Sequence, residues 1–202
     1  MLIAAVAFGA YALGCLTAGY YVVRLRTRQD IRDLGSGNVG ARNAGRVLGP
    51  TGFALVLALD FAKGALAVWA TRQVTANEQV AAVALPAVVA GHIWPLQLGL
   101  RGGKGVAPSL GALVIYDPAV AALFAGVFLG ALTLLRRVVL AGLVAYLSLP
   151  VGGLLLARGS HDVIALSILA VLVQWAHRRD LGEQFTALRR HPDSSRADQT
   201  GP

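Results

Sequence analysis

Six stretches of this chain are long and apolar enough to lie wholly inside hydrocarbon, and that limits the fold more than any motif does. They cover residues 2–23, roughly 50–70, 79–98, 119–135, 138–157 and 162–176. About 20 apolar residues in a helix cross ~30 Å of bilayer interior. A backbone placed there has no water to bond, so such runs must be helical. Residues 105–116 (GVAPSLGALVIY) form a shorter seventh candidate, or a re-entrant half-helix. Composition agrees: 56% of the 202 residues are hydrophobic and 14% are charged, whereas a soluble domain is about a quarter charged. The expected fold is all-α and integral to the membrane, with seven transmembrane helices in one polytopic domain over residues 1–180. Residues 181–202 are expected to be a cytoplasmic tail, disordered from about residue 191 (HPDSSRADQTGP), where no apolar period remains.

The net charge of +8 is not spread evenly. Arg24, Arg26, Arg28, Arg32, Arg42 and Arg46 follow the first run, Arg101 and Lys104 the third, and Arg136 and Arg137 the fifth. The tail adds Arg178, Arg179, Arg189, Arg190 and Arg196, while the remaining connections hold only Arg72 and Arg158. Cationic loops alternating with nearly neutral ones place the cationic side in the cytoplasm. The N-terminus is then outside and the C-terminus inside, as seven crossings require. This distribution argues against a nucleic-acid partner and for the lipid bilayer. No basic residue precedes the first run, so neither a secretory signal nor a lipoprotein site at LGC (13–15) is expected. Cys15 is the only cysteine, so no internal disulfide can form.

Polar residues collect on the cationic side. Residues 35–46, GSGNVGARNAGR, form a glycine-rich loop that offers little to a core and is entropically costly to order. LRGGKGVAP (100–108) is a second such loop. Gly102, Gly103 and Gly105 can turn successive amides into one concavity beside the Lys104 ammonium, an anion-binding arrangement. A tight membrane turn would use the same residues. The loop is not a Walker A sequence, which requires Ser or Thr directly after the lysine. Asp60 and Lys63, three residues apart inside the second run, share a helix face. They form either an ion pathway or, in the preferred reading, a buried structural pair that positions the nearby loop. His92 and His177 sit at the cytoplasmic ends of the third and last runs. Either can act as acid, base or oxyanion donor, or simply as an interfacial hydrogen-bonding residue. Ser36 can be a nucleophile or a hydroxyl that holds a substrate group; GxSxG is absent. No metal-ligand cluster appears in the sequence, and neither metal nor cofactor is expected.

Taken together, SGNVGARN (36–43) with Arg46, LDFAKG (59–64), GHIWP (91–95) and RGGKGVAP (101–108) resemble the bacterial acyl-phosphate-dependent glycerol-3-phosphate acyltransferases, the PlsY family. The match runs in order over about residues 1–180. The resemblance implies a seven-helix enzyme of the bacterial cell membrane with its active site facing the cytoplasm. It would transfer an acyl group from acyl phosphate to the sn-1 hydroxyl of glycerol 3-phosphate, giving lysophosphatidic acid for phospholipid synthesis. Both substrates are then partners, and the acyl-phosphate-forming enzyme is a candidate partner; the oligomeric state is left open. The resemblance assigns catalysis to Ser36, Lys104 and His177. It assigns phosphate binding to Gly37, Asn38, Gly40, Arg42, Asn43, Arg46, Gly102, Gly103, Gly105 and Asp180, with Asp60, Lys63 and His92 in support.

Four positions depart from the family's pattern. Arg42 replaces a threonine, Pro108 a threonine, and RRVVLAGL (136–143) lacks a serine. HRRD (177–180) puts Asp180 where an amide is expected. A carboxylate near a phosphate repels it, and Arg42 supplies compensating charge. These departures keep a divergent or inactive paralogue with another acceptor among the readings. A small transporter or binding protein for phosphorylated compounds is the rival class. Against it, no inverted repeat is visible and the polar motifs lie on one side rather than at the midplane.

Overall fold

The computed structural model describes residues 1–178; Asp180 and residues 181–202 lie outside the described residues. Within that range all regular structure is helical. The helices are α1 Leu2–Cys15, α2 Ala18–Thr27, α3 Ala41–Val74, α4 Glu78–Ile93, α5 Val106–Tyr116, α6 Pro118–Leu135, α7 Val138–Leu155 and α8 Ser160–Ala176. Five units are long and apolar enough to cross a membrane: Leu2–Thr27, Ala41–Val74, Glu78–Leu98, Pro118–Leu135 and Val138–Leu155. Val106–Tyr116 and Ser160–Ala176 are the shorter apolar helices. All seven expected runs are helices. Two differ from expectation in detail: the first is broken in its middle, and the third unwinds at Trp94, before its apolar run ends.

Local signals set several ends. Asn77 and Asp117 begin α4 and α6 by accepting from backbone amides two or three residues on, and Pro118 fills a first-turn position that needs no N–H. Within α3, Gly49 takes φ 75° just before Pro50, which kinks the helix and separates a short entry segment from the membrane-length part.

With no water to expel between helices in lipid, association depends on close packing, and small residues permit it. A Cβ on Gly64 would strike the Pro108 carbonyl oxygen, and one on Gly111 would strike that of Phe61. Gly14 and Gly91 bring α1 onto α4 in the same way, against Val88 and Tyr11. The α3–α5 contact fixes depth. Pro108 sits beside Gly64, so α5 starts near the level of Asp60, ten residues past Pro50 or about 15 Å along the helix. Connection 94–105, which joins α4 to α5, is therefore recessed into the bundle.

The break in the first span is closed from α3. Lys63 Nζ donates to the carbonyls of Gly14 (3.0 Å) and Leu16 (2.9 Å), which α1 leaves open at its end. The same nitrogen lies 2.8 Å from Asp60 Oδ1 and 2.8 Å from His92 Nδ1. Asp60 Oδ1 in turn accepts from Ala18 N, the first amide of α2, at 3.2 Å. A cation at the C-terminus of one helix and an anion at the N-terminus of the next match both dipole ends. The Gln97 side chain bonds the Cys15 carbonyl as well. Asp60, Lys63 and His92 are all buried. Lys63→Met should leave Asp60 charged and unpaired and the α1 carbonyls bare. Breaking such a pair costs about 3–5 kcal/mol, so thermal unfolding in detergent should shift sharply downward; an unchanged midpoint would refute this role.

Candidate active site

The first glycine loop is built on its own short anchors. Asp30 starts a single 3-10 turn, Ile31–Asp33, by accepting from Arg32 N. Its carboxylate then grips the Arg32 guanidinium, with Nε at 3.0 and 3.1 Å and Nη2 at 2.6 Å. That hydrogen bond holds the Asp30 carboxyl below its ordinary range and raises Arg32 in return. Arg32 Nη1 reaches across to donate to the Leu98 carbonyl at 2.8 Å. The short turns that lead into the two glycine loops, 66 positions apart at this bond, are thus tied to each other.

Asn43 organises the loop from within. Its Oδ1 accepts from Ser36 N at 2.9 Å, and its Nδ2 donates to the carbonyls of Leu34 (2.9 Å) and Ile31 (3.2 Å). Gly35 and Gly37 have φ of 57° and 70°, and a Cβ on Gly35 would strike the Asn43 amide oxygen. Asn38 Oδ1 accepts from Gly40 N at 2.8 Å, turning the chain into α3. Contrary to expectation, the loop does serve a core: Ile31 and Val39 are fully buried in a cluster with Val23, Ala44 and Val56. Ser36 and Gly37 are left exposed at its crest, with Arg42 and Arg46 exposed one turn apart on the start of α3.

The second loop departs from the expected amide concavity. Gly102 N donates to the Ile93 carbonyl at 3.1 Å and Gly103 N to that of His92 at 3.0 Å, so both amides turn inward. Neither glycine has room for a side chain: a Cβ on Gly102 would meet the His92 carbonyl, and one on Gly103 the His92 ring at Nε2. Gly105, at φ 80°, starts α5. The open amides that remain belong to the first turn of α5, beside half-buried Lys104. Pro108 falls at the third position of that helix, where a missing N–H breaks no helical hydrogen bond, so this departure fits the fold.

His177 follows α8 directly. It is buried, and its Nδ1 lies 2.9 Å from the Val173 carbonyl, which can only accept; Nδ1 therefore carries a proton. His92 lies beneath the second loop. Asp180 falls outside the described residues, so its pairing with Arg42 has no structural account. Arg32 and Gln97 were absent from the sequence-based set. Arg32 stands in DIRD, where a lone arginine among many has no distinguishing signal.

Beside the loops, Phe8, Tyr11, Ala12, Leu16, Leu96 and Gln97 line a largely apolar groove of about 340 Å³. Phe8, Leu16 and Leu96 are exposed on the outside of the bundle. The face therefore combines three things: two helix N-termini, a group of cations (Arg32, Arg42, Arg46, Arg101, Lys104), and an apolar channel at their side. That set can hold a phosphorylated polar molecule against a lipid chain. Among the described residues no group of His, Cys, Asp and Glu could hold a metal ion.

Comparison with known proteins gives one consistent result. The sequence model of the family described as glycerol-3-phosphate acyltransferase matches residues 4–187. Glycerol-3-phosphate acyltransferase 1 of Desulfitobacterium hafniense is 48% identical over 177 residues, 88% of this chain and 88% of its own. The glycerol-3-phosphate acyltransferase of Syntrophomonas wolfei is 37% identical over 172 residues, 85% of this chain and 87% of its own. Among solved structures, PlsY (YgiH), an integral membrane glycerol 3-phosphate acyltransferase, superposes in its glycerol 3-phosphate form with a TM-score of 0.83. The two chains are 31% identical, with 92% of each covered. Its lysophosphatidic acid form gives a TM-score of 0.81 at 30% identity. The chain, a multi-pass membrane protein, belongs to the glycerol-3-phosphate acyltransferase family.

Proposed function

We propose that this protein transfers a fatty acyl group from acyl phosphate to the sn-1 hydroxyl of glycerol 3-phosphate, releasing phosphate and lysophosphatidic acid. The observation that carries the reading is the tie between the turns that lead into the two basic glycine loops, with Lys104 at the start of α5 and an apolar groove alongside. Two phosphorylated substrates need two anion-holding loops, and one of them brings a lipid chain.

Acyl phosphate is already activated, so positioning and charge stabilisation supply most of the catalysis. Lys104 and the first amides of α5 neutralise one phosphate; Arg42 and Arg46, at the start of α3, face the other. Ser36 holds a substrate oxygen at the loop crest, and His177 approaches the acceptor from α8. The acceptor hydroxyl attacks the carbonyl carbon, the carbonyl–phosphate bond breaks, and the leaving phosphate takes the hydroxyl proton. No side chain then needs to act as the base. Asn38, Asn43, Gly37 and Gly40 shape the first loop, and Gly102, Gly103 and Gly105 the second. The loop face is cytoplasmic and residues 1–180 act as one domain, consistent with the placement of Arg and Lys.

Purified protein should release phosphate from palmitoyl phosphate only when glycerol 3-phosphate is present. Lys104→Ala should cut kcat/KM roughly ten- to a hundredfold, the effect of about 1.5–3 kcal/mol for a charge-assisted hydrogen bond, and Lys104→Arg should retain part of it. Unaltered kinetics in folded Lys104→Ala would sink the phosphate role. Ala12→Trp, which fills the groove, should raise KM for palmitoyl phosphate by roughly tenfold or more, since burial contributes ~0.8 kcal/mol per methylene. Octanoyl phosphate should be much less affected, and equal effects on both donors would move the chain site elsewhere. For sidedness, a reporter fused after residue 190 should be active only if it is of a cytoplasmic type; periplasmic activity would reverse the orientation.

A further inference from the structure

The recessed loop 100–105 carries the lysine on which the proposed chemistry depends. Leu100 takes φ 61° and Gly99 φ 61°, a run of left-handed backbone that is held rather than preferred. Gly102 stands against Pro95 and Gly105 against Val89 and Ile93, whereas beneath Gly103, next to the lysine, lies the His92 ring. The His92 ring meets Gly103 edge-on, and the carbonyls of His92 and Ile93 accept the amides of Gly103 and Gly102. Gly103 has no left-handed φ, so lack of space over the imidazole, and not backbone conformation, excludes a side chain there.

The ring is itself fixed from the far side. Its Nδ1 lies 2.8 Å from Lys63 Nζ, and Lys63 is held by two α1 carbonyls and Asp60. An ammonium carries only donors, so Nδ1 faces it with its lone pair, sharing with Asp60 Oδ1 the N–H that the two carbonyls leave, and the ring proton resides on Nε2, the edge toward Gly103. A chain of contacts therefore runs from the break between α1 and α2, through Lys63 and His92, to the residue next to Lys104.

We propose that His92 is the positioning residue of the second glycine loop. Held in one orientation and one tautomer by Lys63, its imidazole is the floor that sets where Lys104 and the start of α5 stand. The inference rests on the acyltransferase reading, and it gives His92 a steric role: its Nε2 edge abuts Gly103, and its other nitrogen faces an ammonium.

The test uses the steric match between ring and glycine. In purified, monodisperse protein, Gly103→Ala alone should lower kcat/KM at least a hundredfold, because Cβ and ring occupy the same space. His92→Asn keeps an acceptor for Lys63 but removes the ring edge, and should cost about tenfold, with the pH–rate profile unchanged in shape. Together the two should be at least tenfold more active than Gly103→Ala, since the new methyl fills the space the ring vacates. Combined with Lys104→Ala, His92→Asn should add less than threefold, because both act through one group. The inference is overturned by multiplicative losses in either pair, or by loss of a limb of the pH profile in His92→Asn. Should that variant not fold, His92→Ala with Gly103→Ala gives the same comparison. If Lys104→Ala is itself fully active, the acyltransferase reading of the site fails instead.

Discussion

One ammonium group closes the break on which the site is built. The first membrane span stops being helical at Leu16 and Thr17, and broken backbone inside a bilayer leaves carbonyls and amides with no water to bond. Lys63 takes two of those carbonyls and Asp60 takes the amide on the other side of the gap. Each charge is stabilised by the partner and by a helix end, which offsets much of the desolvation that would otherwise make either residue prohibitive at that depth. Without this pair the first span would have to run straight, and the residues around 92–97 would lose the surface against which they turn.

The recess follows from close packing. Gly64 and Gly111 let α3 and α5 approach until backbone touches backbone, so α5 begins level with Asp60 instead of at the end of α3. The connection from α4 must dip to meet it. A glycine loop at that depth lies next to an apolar groove open to the outside of the bundle, an arrangement consistent with the proposed joining of a soluble phosphate ester to a lipid chain. The Arg32 bond to Leu98 then ties the turn before the first loop to the turn before the second.

The roles of the glycine-loop residues divide in a way their chemistry alone does not reveal. Asn43 has the type and place of a substrate ligand, yet all three of its hydrogen bonds hold the loop backbone, and it is buried. Gly102 and Gly103 have the look of amide donors to an anion, yet their N–H groups satisfy the unwound end of α4. Ser36, Arg42 and Arg46 are the ones left facing outward. A polar side chain in a loop can serve the loop or the ligand, and only the position of neighbouring carbonyls decides which.

By itself the sequence determined which runs are helical and in what order, because backbone in hydrocarbon has no alternative to helix and the apolar runs are unmistakable. It also determined which connections carry the cations, and that Asp60 and Lys63 share a face, since three residues apart on a helix can mean nothing else. It did not determine that the first run is broken: LGCLTAG is as apolar as its flanks, and no proline marks the gap. Nor did it reveal what Lys63 bonds, that His92 meets Gly103, or that Arg32 joins the turns leading into the loops, contacts spanning 47, 11 and 66 positions. Periodicity and charge balance are local properties that a chain carries in its order of residues. A hydrogen bond between distant segments exists only once packing has brought them together, and here that packing is set by the few glycines at which one helix backbone can touch another.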